Sequence, residues 1–538
     1  MALLALPTLL PLAACLAALG APWSEHWGHL FGVVLPGVAG NTALLMLLVV
    51  LQAGLLGSGW AWLTARYDFP GRGLLHAALL LPLALPGYVL GFVAIHLLDY
   101  AGPVQSAWRE AGGGPQPLWQ IRSLYGAALI LGLTLYPYVY LMAYNAYRSI
   151  GRNTLDMAAT LGQTAVFRRI ALPLAAPWIA GGLLLVAMEV LADFGTVALF
   201  NVQTFTTAIY KSWFGLFALD AALQLASVLV LLALALMAVQ RAVQRRGRMV
   251  QRGPGLPRRR LRGGAALAAS GGAAGFVLLV VGLPLGLLLR WSLAHLSVEL
   301  DPRYLEWLGR SLLLAGSAAA LLTASALLAA YLERRQPGRR TLQLGARAAT
   351  LGYALPGTLL AVGLYAPLAA LENALADWVA PGWVTQSLVL LLLGYWARFM
   401  AVAHTPISQQ LARVTPSIDE AARTLGVRGW RLLHRVHRPL ISGALASAAA
   451  LLVIDVIKEM PITLMLRPSG FDTLATRIFE LTAEGEYERA ALPALTIVLA
   501  GLVPVALLLR SGHGREDRAE PTPVPLAGRP GTEALHAA

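Results

Sequence analysis

The sequence has a single cysteine, only two lysines and few charged residues of either sign. One thiol excludes an internal disulfide and a multi-cysteine metal site. Charged residues make up 13% of the 538 residues, whereas soluble domains carry about a quarter. Hydrophobic residues reach 57%, and the mean hydropathy is +0.65. This composition excludes a soluble enzyme and a nucleic-acid-binding protein, and it predicts a chain that resides in the lipid bilayer.

Twelve apolar stretches are long enough to cross the hydrocarbon core of a bilayer, which takes about 20 helical residues. Six lie in each half of the chain. They fall near residues 2–20, 41–63, 74–98, 123–146, 174–198 and 219–240, and then near 265–289, 311–331, 347–370, 386–406, 440–465 and 490–509. The sequence therefore predicts an all-α polytopic membrane protein with 12 transmembrane helices.

The basic residues are divided unevenly between the two sides of this predicted membrane domain. Of the 41 Lys and Arg residues, 31 fall on the side that holds both termini, with Arg398 counted among them, and nine on the other. Because cytoplasmic loops are enriched in Lys and Arg, both termini are predicted to be cytoplasmic. The same rule explains the arginines of the linker 241–263 without a nucleic-acid or anionic-lipid partner. The tail 511–538, rich in Pro, Gly and charge, is predicted to be disordered.

The two halves of the chain repeat short sequence patterns at an offset of about 270 residues. LALPGYVLGF, with Pro86 and Gly87, matches YALPGTLLAV, with Pro356 and Gly357. MEVLADFGT, which begins at Met188, matches IDVIKEMPIT in the second half. Two homologous halves with the same orientation are a common plan of transporters. We therefore predict six-helix repeats at 1–240 and 264–510, joined by the linker 241–263.

The strongest motif lies in the loop between the fourth and fifth predicted spans of each half. In the second copy, Ser417 and Glu420 fit the capping box that starts a helix, and Gly426 permits the turn that ends it. A second, basic helix is predicted from Gly429 to Arg438, with the next span opening at the following proline. The residues of this copy that we assign to docking on another protein are Glu420, Ala421, Ala422, Gly426 and Pro439.

The first copy of the motif departs from the second in two ways. Asp156 and Met157 replace the glutamate and the first alanine, and the closing proline arrives two residues early. The residues that we assign to docking in this copy are Asp156, Ala158, Gly162 and Pro173. A short helix, a glycine turn and a second helix that project from the membrane suit a groove on a partner protein, and two copies imply two docking sites.

These loops resemble the EAA loop of ABC importer permeases, the binding-protein-dependent inner-membrane components. The resemblance implies a type I ABC importer permease fold with one coupling loop in each half, located in the bacterial inner membrane. It also implies two copies of an ABC ATP-binding subunit and a periplasmic substrate-binding protein as partners.

Neither lysine stands in the pattern of a P-loop, which requires Gly before Lys and Ser or Thr after it. Tyr210 precedes Lys211, and Glu459 follows Lys458. ATP-Mg is therefore expected in the partner subunit. The chain itself is predicted to be a transporter subunit without enzymatic activity and without a cofactor of its own.

Five ionisable residues lie deep within the predicted spans: Glu189, Asp193, Asp455, Lys458 and Glu459. Such groups are costly in a membrane unless they are paired or hydrated, which makes them candidates for a transport pathway or gate. The two carboxylate pairs occupy equivalent positions in the two halves, and together they would attract a hard cation. The alternative is structural: the lysine pairs with a carboxylate, and the other acids face water or cap irregular helix ends.

Longer stretches extend the resemblance to nearly the whole chain. Arg66–Arg72, Met188–Gly215 and Ile457–Leu481 are similar to the fused two-repeat permeases of ferric-iron importers. This similarity implies transport of iron(III) from the periplasm to the cytoplasm. Thiamine and phosphonate permeases share the fused architecture and are alternatives. The six-plus-six plan and the loop Asp68–Arg72 also resemble major-facilitator secondary transporters, a class that does not predict two EAA-type loops.

Overall fold

The computed structural model describes residues 1–20, 28, 30–114, 116–150, 167–247 and 258–502. Within these ranges the chain is almost entirely helical, because a helix satisfies its own backbone hydrogen bonds where no water is available. Two short strands, β1 (Tyr67–Asp68) and β2 (Arg259–Arg260), pair in parallel.

The helices follow the two halves of the sequence. Those of the first half are α1 (Ala2–Ala17), α2 (Leu35–Arg66), α3 (Arg72–Ala78), α4 (Gly87–Leu98), α5 (Pro103–Glu110), α6 (Leu124–Ser149), α7 (Leu172–Ala192), α8 (Gly195–Leu199), α9 (Phe205–Tyr210) and α10 (Leu219–Gly247). Those of the second half are α11 (Gly263–Val277), α12 (Leu283–Ala294), α13 (Leu296–Glu299), α14 (Pro302–Arg335), α15 (Arg340–Ala349), α16 (Gly357–Ala374), α17 (Leu388–Ala412), α18 (Pro416–Thr424), α19 (Trp430–Leu432), α20 (Arg438–Leu440), α21 (Ser442–Ile457), α22 (Pro461–Leu466), α23 (Leu474–Ala483) and α24 (Ala491–Leu502). Short π-helical turns adjoin several of them at Leu30–Val34, Phe167–Ala171, Lys211–Gly215, Leu278–Gly282 and Leu433–His437.

In the described ranges, nine helices are long and apolar enough to cross a membrane, and the number rises to eleven if each of two bent pairs is one crossing. One pair joins Arg340–Ala354 to Gly357–Ala374 at 118°, and the other joins Trp430–Leu440 to Ser442–Ile457 at 78°. The last predicted span, 490–509, corresponds to α24. The prediction of a multi-pass helical protein is confirmed. The described ranges hold nine to eleven candidate crossings, and the predicted number of 12 stays a prediction because the last span, 490–509, is described only to residue 502.

Several predicted spans are interrupted, which their hydropathy did not reveal. In spans 74–98 and 347–370, Pro86 and Pro356 lie in extended conformation immediately before α4 and α16. Proline has no amide hydrogen and disfavours a helical conformation in the residue before it. The span 174–198 ends early, at Ala192, and the span 440–465 is divided between α21 and α22.

The first helix of each half packs against the other half. α1 contacts α15, α16 and α17, and the Thr8 hydroxyl donates a hydrogen bond to the Ala349 carbonyl at 3.2 Å. In the opposite direction, α11 contacts α3, and the ring of Phe276 lies 5.3 Å from that of Trp60 in α2. These exchanged helices join the two halves into one body.

α1 approaches α16 so closely that only glycine fits at position 363. A Cβ atom there would lie 2.6 Å from the Pro11 carbonyl oxygen and 2.8 Å from Sγ of Cys15. We expect Gly363→Ala to lower the free energy of unfolding by about 1–3 kcal/mol, the usual cost of overpacking. Thermal unfolding of the purified protein in detergent measures this loss.

Gly316→Ala is the matched control for Gly363→Ala. A Cβ atom at this glycine of α14 meets no other atom within 4 Å, so the substitution should leave the melting temperature unchanged or slightly raised. Equal melting temperatures for the two variants would contradict the close packing of α1 on α16.

Candidate functional site

A cavity of about 200 Å³ lies where the interrupted helices of the two halves meet. All five charged residues singled out in the sequence line it, together with one arginine. These residues are Glu189, Asp193, Arg398, Asp455, Lys458 and Glu459. The structure thus brings four carboxylates and two cations from both repeats around one small space.

The break after α7 is capped by a carboxylate. α7 ends at Ala192, and α8 begins at Gly195. Asp193, between them, accepts hydrogen bonds from the Val197 amide and the Thr196 hydroxyl, both at 3.0 Å. The first amides of a helix have no partner within the helix, and a bilayer interior offers no water in their place. Asp193 therefore supplies acceptors that the start of α8 needs.

The equivalent break after α21 is capped in the same way by Glu459. α22 begins at Pro461, and Glu459 accepts hydrogen bonds from the amides of Ile462 and Thr463, both at 3.0 Å. Asp193 and Glu459 thus have the role expected in the structural alternative, in which intramembrane acids cap irregular helix ends. The two matching sequence segments thus also make equivalent hydrogen bonds, from helix-start amides to a carboxylate.

The repeated Leu-Pro-Gly pattern lies directly against these capped helices. α4 and α16 begin at Gly87 and Gly357. A Cβ atom at Gly87 would lie 2.5 Å from Oγ1 of Thr196, and one at Gly357 would lie 3.1 Å from Oε1 of Glu459. The glycines permit this close approach, so the pattern marks the place where two broken crossings pack together at the cavity.

The other charged side chains of the cavity include a close ion pair. Nζ of Lys458 lies 2.8 Å from Oδ1 of Asp455, and Glu189 of α7 lines the same space. Within the described residues, no group of three or more His, Cys, Asp or Glu side chains is placed to hold a metal ion.

Arg398 has a different place from the one that the charge distribution suggests. Sequence position groups it with the arginines of the cytoplasmic loops, but it lies within α17 and lines the cavity. Its Nη1 donates a hydrogen bond to the Leu355 carbonyl at 2.6 Å, which satisfies a backbone group at the break before α16. A charge inside the predicted span 386–406 is the sequence signal that identifies such a residue.

The loop between α17 and α21 contains the predicted short helix with a different start. α18 begins at Pro416 after an extended Thr415, because proline suits the first turn, where its missing amide is not needed. The predicted capping box is therefore wrong: the Ser417 hydroxyl lies 2.9 Å from Oγ1 of Thr415, and Glu420 is exposed. Gly426, with φ of +78°, turns the chain after α18 as predicted.

The second helix of the loop continues past its predicted boundary. α19, the π-helical turn Leu433–His437 and α20 form a helical stretch from Trp430 to Leu440 that includes Pro439. α21 begins only at Ser442, after the bend of 78°. Pro439 does not open the next crossing, because it is accommodated in the first turn of α20.

Asp419 anchors α18 to the membrane domain. Its carboxylate accepts hydrogen bonds from Nε of Arg334 at 3.0 Å and from Nε2 of His437 at 2.8 Å. Burial alone would raise the pKa of Asp419, but these hydrogen bonds outweigh burial and hold the pKa below its ordinary value. Tyr331, one turn before Arg334 in α14, donates to the Gly429 carbonyl at 2.7 Å. The loop is thus fixed to the C-terminal end of α14.

The outer surface of the loop is partly apolar. Leu425 is 82% exposed and Trp430 57%. Glu420 and Ala421 are exposed beside them, whereas Ala422 is buried. Exposed Leu and Trp side chains next to a carboxylate form a surface that suits coverage by a partner protein. Of the five predicted docking residues of this copy, four are exposed and one is buried: Glu420, Ala421, Gly426 and Pro439 are exposed, and Ala422 is buried.

The first copy of the motif is described only at its end. Asp156, Ala158 and Gly162 lie outside the described residues. Pro173 lies in the first turn of α7, directly after the π-helical turn Phe167–Ala171, and the whole stretch to Ala192 is one candidate crossing.

Interrupted crossings in two repeats, charges at the breaks and a projecting loop define a membrane subunit of a transport system. Two segments, 53–249 and 322–512, match the family of binding-protein-dependent transport system inner membrane components. The chain belongs to this family. Residue 322 lies 269 positions after residue 53, in agreement with the internal repeat.

Individual relatives agree with this assignment. The chain is 26% identical over 477 residues to the Fe(3+)-transport system permease protein FbpB 2 of Haemophilus influenzae, covering 87% of this chain and 88% of the relative. It is 29% identical over 195 residues to the sulfate transport system permease protein CysT of Salmonella typhimurium, covering 35% and 68%. The putative 2-aminoethylphosphonate transport system permease protein PhnV of that organism is 35% identical over 123 residues, covering 23% and 44%.

A solved structure of a bacterial alginate ABC transporter, in complex with a periplasmic protein bound to an alginate pentasaccharide, also matches the chain. The match covers 46% of this chain and 94% of that chain, at 14% identity and a TM-score of 0.38. The family and the relatives confirm the predicted ABC permease resemblance and disfavour the major-facilitator alternative.

The anchoring of α18 is tested by Asp419→Asn. We expect it to lower the free energy of unfolding by about 2 kcal/mol, because a part-buried hydrogen bond between charged groups is lost. Arg334→Gln removes the same contact, so the double variant should lose less than the sum of the two single losses. Thermal unfolding in detergent measures all three.

Glu420→Gln is the matched control for the comparison of the Asp419→Asn, Arg334→Gln and double variants. It removes a charge from the neighbouring, exposed position, and it should leave the melting temperature unchanged. Fully additive losses for Asp419→Asn and Arg334→Gln would contradict a direct contact between these side chains.

Proposed function

We propose that the chain is the transmembrane permease subunit of an ABC importer that moves iron(III) from the periplasm to the cytoplasm. The similarity to the Haemophilus influenzae Fe(3+) permease carries this proposal, since it extends over 87% of the chain and 88% of that relative. The sulfate and phosphonate permeases match only 35% and 23% of the chain. The cavity holds four carboxylates against two cations, and this excess of negative groups supports a cationic cargo, because it raises the local concentration of positive ions.

The proposed partners are two copies of an ABC ATP-binding subunit and a periplasmic substrate-binding protein. Each ATP-binding subunit binds ATP-Mg and docks on one coupling loop, and the exposed Leu425 and Trp430 support this role for the second loop. The excess of arginine on the side of the loops supports a cytoplasmic location for the loops and for both termini. The substrate-binding protein would then deliver its cargo at the opposite face.

Two helices would transmit movement from the coupling loops to the cavity. α21 has 16 residues between the bend after the second loop and the cavity residue Lys458, a length of about 24 Å. α7 makes the equivalent connection from the turn Phe167–Ala171 to Asp193. A displaced loop would tilt its helix and move one wall of the cavity, which is how repeats alternate access around a central site.

Charged groups on separate helices suit such a gate. The Lys458–Asp455 pair lies at the end of α21. Glu189 lies on α7, and Arg398 lies on α17. A relative tilt of the halves would therefore change the distances between these groups. In the proposed mechanism Lys458 and Arg398 neutralise the carboxylates when the gate is closed. Separation of the helices then exposes the carboxylates to the cargo.

A phosphonate is the second candidate cargo. Lys458 and Arg398 place two cations in the cavity, and the putative 2-aminoethylphosphonate permease is 35% identical over 123 residues. Under this alternative the cations, rather than the carboxylates, would guide the cargo.

Uptake by proteoliposomes that contain the chain with its ATP-binding subunits and binding protein tests the cargo. We expect ATP-dependent uptake of radioactive iron(III), reduced about tenfold or more by Glu189→Gln combined with Asp455→Asn, because Lys458 and Arg398 would then be in excess. Glu306→Gln, an exposed acid of α14 paired with Arg310, is the control and should transport normally.

Two outcomes of the uptake assay would overturn parts of the proposal. Unchanged iron uptake by the double variant would remove Glu189 and Asp455 from the pathway. Uptake of 2-aminoethylphosphonate and not of iron would replace the cargo while leaving the ABC mechanism in place.

The coupling loop is tested by Gly426→Leu. Gly426 has a positive φ, and a Cβ atom there would meet no atom within 4 Å, so the substitution strains the loop without a clash. We expect loss of ATP-driven transport with normal insertion into the membrane. Gly485→Leu is the matched control, since Gly485 also has a positive φ of +84° and open space but lies outside the coupling loops. Equal transport by both variants would contradict the coupling role of this turn.

A further inference from the structure

The segment that leads into the second half is fixed to the first half. Tyr67 and Asp68 of β1 pair in parallel with Arg259 and Arg260 of β2. The Leu261 amide donates a hydrogen bond to the Asp68 carbonyl at 2.8 Å. Residues 259–261 are thus held against the loop after α2, whereas the positive-inside rule requires only that the linker be basic.

A second contact fixes the middle of α11 in the same place. The Ser270 hydroxyl donates a hydrogen bond to the Pro70 carbonyl at 2.8 Å. α11 therefore lies beside the loop 67–72, and the space between α2, β2 and α11 has a defined shape.

This space is a pocket of about 670 Å³ with a basic side and an apolar side. The residues that line it are Arg259, Arg260 and Arg262, with Leu63, Tyr67, Leu261, Ala265, Ala268 and Ala269. No acidic residue of the described ranges is among them. The three arginines are exposed, and the carboxylate of Asp68 lies 3.5 Å from Arg72, where it forms an ion pair.

The apolar and basic residues of the pocket follow one another in the same order as the hydrocarbon and head-group layers of a membrane. Leu63 lies in the last turn of α2, and Ala265 and Ala268 lie in the first two turns of α11, so the apolar wall is formed by the ends of two candidate crossings. The arginines lie beyond these ends, where head groups are located. Small side chains on α11 leave room for a hydrocarbon chain beside the helix.

We propose that this pocket binds an anionic phospholipid. Guanidinium groups donate paired hydrogen bonds to phosphate oxygens, and basic pockets at helix ends are a recurring form of site for anionic head groups. The alanine face of α11 and Leu63 would contact an acyl chain. The apolar wall favours a lipid over a soluble anion, for which a purely polar site would suffice. The leaflet is cytoplasmic if the proposed orientation holds, but binding itself does not depend on it.

Native mass spectrometry of the full-length chain, released from nanodiscs of phosphatidylcholine and cardiolipin, tests the pocket. We expect the chain to retain cardiolipin in preference to phosphatidylcholine. Arg259→Gln combined with Arg260→Gln should weaken cardiolipin binding about thirtyfold, since each arginine near an anionic surface contributes a factor of about five. Arg340→Gln combined with Arg347→Gln removes two exposed arginines of α15 and is the matched control, with unchanged binding expected.

A second variant tests the apolar wall separately. Ala268 is exposed, so Ala268→Trp should fill the pocket without disturbing the fold, and we expect it to weaken cardiolipin binding with every arginine in place. Equal loss in the control pair, retention of cardiolipin by the double glutamine variant, or displacement of the bound species by excess inorganic phosphate would overturn the lipid assignment. The last outcome would identify a soluble-anion site.

Discussion

A helix that breaks inside a membrane leaves backbone amides and carbonyls without partners, and the protein must supply these partners itself. Asp193 and Glu459 meet this requirement at equivalent positions, each as the acceptor for the amides that start a new helix. Arg398 meets the same requirement as a donor, because its guanidinium donates a hydrogen bond to the carbonyl of Leu355. Three of the six charged residues at the cavity therefore have a structural role, since they satisfy backbone groups at the interrupted crossings that surround it.

The rest of the architecture follows from these breaks. Gly87 and Gly357 have no side chain because the capped helices lie against them, which explains why the Leu-Pro-Gly pattern occurs once in each half. α7 and α21 begin at the closing end of the loop motif and end at the cavity, so each repeat has one continuous helix between the two regions. The exchange of α1 and α11 between the halves joins the repeats outside the segments that match the family.

Arginine has several roles in this chain, and only one of them is topological. Arg398 lines the cavity, and Arg334 holds α18 through Asp419. Arg259 and Arg260 are placed by a short strand pairing beside an apolar wall. A guanidinium stays charged in almost any environment and can bind several acceptors at once. This property suits it to capping carbonyls, pairing with carboxylates and binding phosphate, and the sum of charges in the sequence does not distinguish among these uses.

The sequence by itself determined the class of the protein, its internal repeat, and the short helix and glycine turn that end at Gly426. Hydropathy and short residue patterns depend on neighbours within one segment, so the sequence is enough to reveal them. It also placed the five intramembrane charges among the candidates. Only the tertiary structure decided that Asp193 and Glu459 cap helices, that Asp419 rather than a capping box secures α18, and that Lys458 pairs with Asp455. The anchor of Asp419 lies 85 positions away in the chain, and the helix breaks follow from single prolines and acids within apolar stretches. Hydrogen bonds depend on distances of a few ångströms between segments far apart in the sequence, so their partners are defined only when the helices are packed.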